Sequence, residues 1–187
     1  VRFALAPGKT FQGEESLGAG VFGSVAQCVL EDGTDVAVKQ YKSADSPGAE
    51  RSFNTMKTLE GNEYIVKTYG FGTIQNKAAL AMELAPDGTI QSRIERGDYK
   101  GKEKEQKMKE VGSKLLEGFT YMHSKSIAHR DIHNGNVVFK GDTPKVVDFD
   151  FACELTQCIK FVPGGNGGQA APGRLLSCTG LLNALLI

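Results

Sequence analysis

The sequence predicts an α+β fold, with a strand-rich first half on an antiparallel sheet and a short, mainly helical second half. Two observations lead there. Residues 24–41 read as two strands around a tight turn, and residues 102–123 carry one apolar stripe at helical spacing. At 187 residues the chain suffices for one domain, or two small lobes, with a sizeable core.

The elements follow in order. SVAQCVL (24–30), EDGT (31–34) and DVAVKQY (35–41) form a hairpin with Asp32-Gly33 as its turn. In AERSFNTMKTLEG (49–61), Phe53, Met56 and Leu59 recur at three-residue spacing, and Gly61 can stop the helix. IVKTYGFG (65–72) and KAALAMEL (77–84) are two further strands, and APDGT (85–89) is a loop. In the long helix, Met108, Val111, Leu115, Phe119 and Met122 face the core, while Lys and Glu face solvent. NVVF (136–139) and KVVDF (145–149) are short strands flanking a GDTP turn. The Gly/Pro stretch 163–173 reads as a loop, and the leucines after it as a short buried helix broken near Gly180. There are no internal repeats.

Twenty-two basic residues balance 22 acidic ones, which gives no bulk attraction to nucleic acid or a membrane surface. No apolar run approaches the ~18–20 residues of a membrane span, and no secretory stretch opens the chain. Cys28, Cys153, Cys158 and Cys178 form no CxxC pair, so reduced thiols in a cytoplasmic protein are expected. The start at Val1 rather than Met reads as a trimmed or processed product.

Three stretches carry chemistry. LGAGVFGSV (17–25) places Gly18, Gly20 and Gly23 where backbone amides can approach a phosphate without an intervening Cβ. A strand follows these glycines, which argues against a dinucleotide site, where a helix must follow. VAVK (36–39) then puts Lys39 on the next strand, where it can neutralise phosphates. IAHRDIHNGNVVF (127–139) and VVDFD (146–150) supply Asp131, Asn136 and Asp148. Mg²⁺ on a nucleotide needs one or two protein oxygen ligands, which Asn136 and Asp148 can provide. Asp131 can accept the proton of an attacking hydroxyl. His129 reads as a buried histidine bracing the loop.

In that order and spacing these residues resemble the protein kinase superfamily, of eukaryotic Ser/Thr type, over roughly residues 13–152. The resemblance implies a two-lobe fold, with residues 1–85 as N-lobe and 86–187 as a truncated C-lobe. It implies that Gly18, Gly20 and Gly23 cover the phosphates of ATP and that Lys39 contacts the α and β groups. Val25 and Ala37 would roof the adenine, Val138 would floor it, and Met82 would back the pocket. Glu83 and Ala85 match the hinge. Asp131 would be the catalytic base, with Asn136 and Asp148 as ligands of Mg²⁺, or of Mn²⁺ in its place.

The sequence departs from the pattern in four places. The family pairs a helix Glu with the strand lysine, but residues 54–58 here are Asn, Thr, Met, Lys and Thr, leaving Glu50 as nearest candidate and Glu60 as next. His133 stands where Ser/Thr kinases carry Lys, and resembles the loop of aminoglycoside phosphotransferases. Asp148-Phe149-Asp150 replaces DFG, and Asp150 reads as a cap of the next turn. Only 37 residues follow Asp150, with Ala171-Pro172-Gly173 a faint match to the end of an activation segment. Arg130 ordinarily pairs with a phosphorylated loop, and so short a segment implies activity without that phosphorylation.

The expected function is therefore a minimal, monomeric protein kinase transferring the γ-phosphoryl group of ATP to Ser/Thr hydroxyls of a protein substrate. The alternatives are a small-molecule phosphotransferase of the aminoglycoside or choline kinase type, or a non-catalytic interaction module. A compact form of this kind also fits a secreted bacterial effector acting on a host protein such as a chaperone. Nucleic-acid and membrane partners are not expected.

Overall fold

The first hairpin forms because its turn is satisfied locally. The Asp32 carboxylate accepts from the Thr34 amide at 2.9 Å; hydrogen bonding from the Thr34 side chain first, and from that amide second, lowers its pKa, and Gly33 takes φ +83°, a region costly for residues bearing a Cβ. The computed structural model describes residues 3–5, 11, 15–20, 23–44, 47–101 and 103–158. The described residues fall into two compact units that divide at Ala85–Pro86, with residues 62–65 belonging to the second.

The first unit is a five-stranded antiparallel sheet in the order β1-β2-β3-β5-β4. Its strands are β1 (Ser16–Ala19), β2 (Gly23–Val29), β3 (Asp35–Tyr41), β4 (Thr68–Ile74) and β5 (Lys77–Glu83). Pairing Cys28 with Val36 and Ala26 with Val38 puts these four on one face. Phe11, Leu30, Ala79 and Ala81 complete a core there, with Phe3 and Leu5 packed on it. Helix α1 (Pro47–Thr58) packs on the sheet through β4 and β5, where the Phe53 and Phe71 rings lie 6.0 Å apart. Ala49, Ser52 and Met56 are its buried residues. β4 starts at Thr68 rather than Ile65, because Ile65 bridges instead to Val146 of the second unit.

The second unit is built on α3 (Lys104–Ser124), which buries Met108, Val111, Leu115, Gly118 and Met122. The stripe expected from sequence holds except at Phe119, which is half-buried. Gly118 is buried because a Cβ there would meet the Tyr64 Cβ at 3.0 Å, so α3 and residue 64 approach closely. The hairpin of β7 (Val137–Lys140) and β8 (Thr143–Val146) turns at Gly141-Asp142, not across all of GDTP. β6 (Ile127–Ala128) pairs with β9 (Cys153–Glu154), and α4 (Leu155–Cys158) ends the described chain.

Helix α2 (Ile90–Arg96) stands immediately after the stretch expected as a loop. Thr89 and Ser92 form a reciprocal capping box, and Gly97 closes the helix at φ +85°. Arg93 locks α2 to the β7–β8 hairpin, stacking 3.8 Å over Phe139 and donating to the Gly141 carbonyl at 2.6 Å. Cys28 is a buried free thiol, but Cys153 is disulfide-bonded, so the reduced-thiol expectation fails at that position. The loop expected at 163–173, the leucine-rich helix and Ala171-Pro172-Gly173 lie outside the described residues. No helix among the described residues is long and apolar enough to cross a membrane.

Candidate active site

The first unit carries the candidate residues that stand on the sheet. Val25 is registered with Lys39, Lys39 with Leu80, and Ala37 with Met82, so Val25, Ala37, Lys39 and Met82 share one sheet face. This is the face opposite the Ala26–Val38 core. Lys39 is 7 % exposed, an unusual burial for an ammonium, and β3 is buried from Val36 to Tyr41. The Gly-rich hairpin rises beside it. Gly18 pairs with Val25, and the Gly20 amide donates to the Gly23 carbonyl at 2.8 Å. Gly23 is fixed by sterics: a Cβ there would lie 2.1 Å from the Gln40 carbonyl oxygen. At the end of β5, Glu83 is tied to residue 67 twice, through its own amide at 2.8 Å and its carboxylate at 3.3 Å. Ala85, half-buried, is the last residue of this unit.

The second unit carries the acidic candidate residues, organised around His129. That ring is 3 % exposed and packs 4.7 Å from Phe149. Its Nε2 faces the Val147 carbonyl at 2.9 Å, while Nδ1 accepts from the Asp131 amide at 3.3 Å. These partners place the ring proton on Nε2 and leave Nδ1 as the acceptor. Desolvation lowers the His129 pKa, outweighing the hydrogen bond to Val147 and the nearby carboxylates. A neutral histidine therefore staples the residue before Arg130 and Asp131 to the strand leading to Asp148. Sequence reasoning gave His129 this bracing role, and its two ring contacts show how it is performed.

Asn136 and Asp148 are brought alongside by the β7–β8 hairpin. Val137 pairs with Val146, and the Val147 amide donates to the Asn136 carbonyl at 3.0 Å. The Asn136 amide nitrogen donates to the Asp131 carbonyl at 2.9 Å and to its carboxylate at 3.3 Å. Two acceptors on one side fix which amide atom is nitrogen, so Oδ1 is directed away from Asp131. Asp148 adopts φ +64° and Arg130 φ +68°, strained values for residues with a Cβ, and such strain concentrates at functional sites. The fully buried Phe149 and Phe139 anchor the chain around them. Val138, half-buried, pairs with Lys145 and bridges to Thr89.

His133 faces the Asp131 carboxylate. Its Nδ1 accepts from the Gly135 amide at 3.1 Å, which leaves the proton of the neutral ring on Nε2, 3.9 Å from Asp131 Oδ2. Thus Asn136 and His133 both address Oδ2. The sequence singled out His133 as a departure but did not foresee its approach to Asp131, which at 3.9 Å is longer than a hydrogen bond; the glycine two residues later was the available signal. Neither helix Glu candidate faces the core. Glu50 is exposed in the first turn of α1, and Glu60 is exposed and pairs with Lys57 at 3.1 Å. Asp150 is buried.

The donors fit a hard cation: an amide oxygen and a carboxylate, with neither thiolate nor imidazole between them. The protein kinase domain family matches residues 11–170. The chain is 32% identical over 174 residues to the receptor-like serine/threonine-protein kinase ALE2 of Arabidopsis thaliana, covering 87% of this chain and 22% of that one. It is 27% identical over 171 residues to the MAP kinase kinase MKK1/SSP32 of Saccharomyces cerevisiae (85% and 33%). It is 32% identical over 154 residues to the MAP kinase kinase kinase SSK2 of the same yeast (78% and 10%). The chain thus spans a third or less of the length of each of these relatives.

Proposed function

Because the chain belongs to the protein kinase domain family, we propose that it transfers the γ-phosphoryl group of ATP to Ser or Thr hydroxyls of a protein. The observation that carries this reading is the Asp131–Asn136 pair beside the left-handed Asp148. In this reading Asn136 Oδ1 and the Asp148 carboxylate hold Mg²⁺, which neutralises charge on the phosphates when bound. Asp131 receives the hydroxyl proton through Oδ1, since Asn136 and His133 address Oδ2. The first unit contributes Lys39 and the Gly23 hairpin toward the phosphates, with Val25, Ala37, Met82 and Val138 against the adenine and Glu83 to Ala85 as the hinge.

Activity without activation-segment phosphorylation is part of the proposal. Arg130 Nε donates to the Phe151 carbonyl at 2.6 Å, so its guanidinium is already engaged by main chain after Asp148. The small-molecule reading draws on His133 and Asp150, which do not outweigh the match to protein kinases over residues 11–170.

The test is purified protein with γ-labelled ATP, Mg²⁺, a panel of proteins, aminoglycosides and choline, followed by phosphoamino-acid analysis. Label on Ser or Thr is expected, from protein never exposed to an activating kinase. Asp148→Ala should reduce transfer on the order of 10²–10³-fold, as loss of one electrostatic contributor does. Label on tyrosine alone, or only on a small molecule, would overturn the proposal.

A further inference from the structure

The chain after Asp148 is held by short elements. β6 and β9 have two residues each, and α4 has four. Ladders this short are marginal by themselves, because few backbone hydrogen bonds offset the entropy of ordering the chain. Yet β9 carries much of the local geometry. Cys153 is registered with Ala128, the residue before His129, and Glu154 with Ile127. The Leu155 amide donates to the Ser126 carbonyl at 2.8 Å, and the Ala152 amide to the Phe149 carbonyl at 3.0 Å. The Phe151 carbonyl accepts from Arg130 Nε at 2.6 Å. Residues 126–130 are thus tied to residues 149–155, and the two sides of the tie adjoin Asp131 and Asp148. A covalent bond reinforces it. Cys153 is disulfide-bonded, and because Cys28 is a free thiol the other sulfur comes from Cys158 or Cys178, both downstream of β9. Cys153 is half-buried, whereas Cys28 is sealed in the core, and partly exposed disulfides are the labile ones.

We propose that Cys153 is a redox-modification site: its disulfide holds β9 on β6, and a dithiol reductant that opens the bond loosens the backbone at Arg130 and Asp148 and lowers phosphoryl transfer. In the reducing step the dithiol supplies two electrons and two protons. The cystine S–S bond breaks, both cysteines become thiols, and the reductant closes into its own disulfide. The cross-link limits the conformations open to the chain around β9, and that limit goes with it. β9 then keeps only its two-residue ladder, so the Phe151 carbonyl parts from Arg130 more often. The left-handed turn at Asp148, φ +64°, is sparsely populated by residues with a Cβ and persists where its surroundings hold it. Loosening β9 removes part of that hold. Control of the site then lies in thiol chemistry of the segment after Asp148 and needs no phosphorylation there.

This inference rests on the phosphoryl-transfer reading, and the experiment separates the two. The whole chain is prepared oxidised, reduced with dithiothreitol, and reoxidised with oxidised glutathione, and a peptide map without reductant reads the state of Cys153. Transfer from γ-labelled ATP and amide hydrogen exchange are measured on each form, beside melting curves. Reduction should lower transfer on the order of 10²-fold, as a misplacement of about 1 Å near reacting groups does. It should also speed exchange at the Ala152 and Leu155 amides, and reoxidation should restore both. Cys153→Ser should stay at the reduced level and ignore both reagents; should that variant fail to fold, the reversal in wild type carries the test. Equal transfer and exchange in the oxidised and reduced forms overturns the inference. So does a free Cys153 thiol in the oxidised protein, a reductant effect that persists in folded Cys153→Ser, or unfolding of the whole chain on reduction. No transfer by any form overturns the protein kinase reading, while the exchange at Ala152 and Leu155 still decides whether the disulfide holds β9.

Discussion

Gly23→Ala tests the packing that holds the Gly-rich hairpin to β3. A Cβ at residue 23 would lie 2.1 Å from the Gln40 carbonyl oxygen, 2.9 Å from its carbon and 3.1 Å from the Tyr41 Cα. Ordinary contact between heavy atoms begins near 3.5 Å, so the overlap exceeds an ångström and meets backbone, which cannot rotate aside. Either β2 lifts from β3 and the Gly23–Tyr41 pair is lost, or both strands shift. Overpacking of this kind costs about 1–3 kcal/mol, or a Tm lower by about 2–12 °C for a chain of this size. Gly20→Ala is the control, since nothing lies within 4 Å of a Cβ there; its stability should stay within about 0.5 kcal/mol of wild type. Differential scanning fluorimetry of both variants, with urea titration for the free energy, reads the contrast. If Gly23→Ala melts with wild type, the close approach of β2 to β3 at Gly23 is wrong.

Three further outcomes are expected. His133→Ala should lower kcat about tenfold with little change in the KM for ATP, because it loosens Asp131 rather than the nucleotide; Gly135→Ala should act in the same direction, since its Cβ would press the His133 ring at 3.0 Å. A KM effect without a kcat effect would contradict this. His129 has a pKa lowered by burial, so the unfolded chain takes up a proton that the folded chain refuses. Stability should be undiminished above the ordinary value of 6.5 and fall as pH drops toward the lowered folded value. His129→Gln, less stable at pH 7, should show a shallower loss of Tm between about pH 7 and 5.5; an unchanged slope would contradict the assignment. Thr89→Ala removes the capping box of α2 and should cost about 0.5–2 kcal/mol, measured by urea unfolding; no change would show that the cap carries no stability.

How much the sequence revealed depended on whether the determining physics was local. The β2–β3 hairpin was legible because Asp32 and Gly33 carry its turn, and α3 because its apolar stripe repeats from Met108 to Met122. Helix α2 was not, since it has seven residues and Ile90 as its one buried side chain. Its stability resides in a Thr89–Ser92 box and in Arg93 packed on Phe139, 46 positions away. The two-residue strands β6 and β9 are likewise defined only by each other. At the candidate site, motif spacing nominates residues, whereas the contacts of Lys39 with Tyr41 and of His133 with Asp131 depend on side-chain direction. Phe119 failed for a related reason: residue 118 needed to be small enough for α3 to approach Tyr64, and helical periodicity gives Gly no weight.

The most direct test of the account is a crystal structure with Mg²⁺ and a non-hydrolysable ATP analogue. Metal bound by Asn136 Oδ1 and an Asp148 oxygen is expected at about 2.0–2.1 Å, with Lys39 on the α and β phosphates and Asp131 Oδ1 turned toward the γ-phosphate. Metal bound elsewhere, or nucleotide held without Lys39, Asn136 or Asp148, would contradict it.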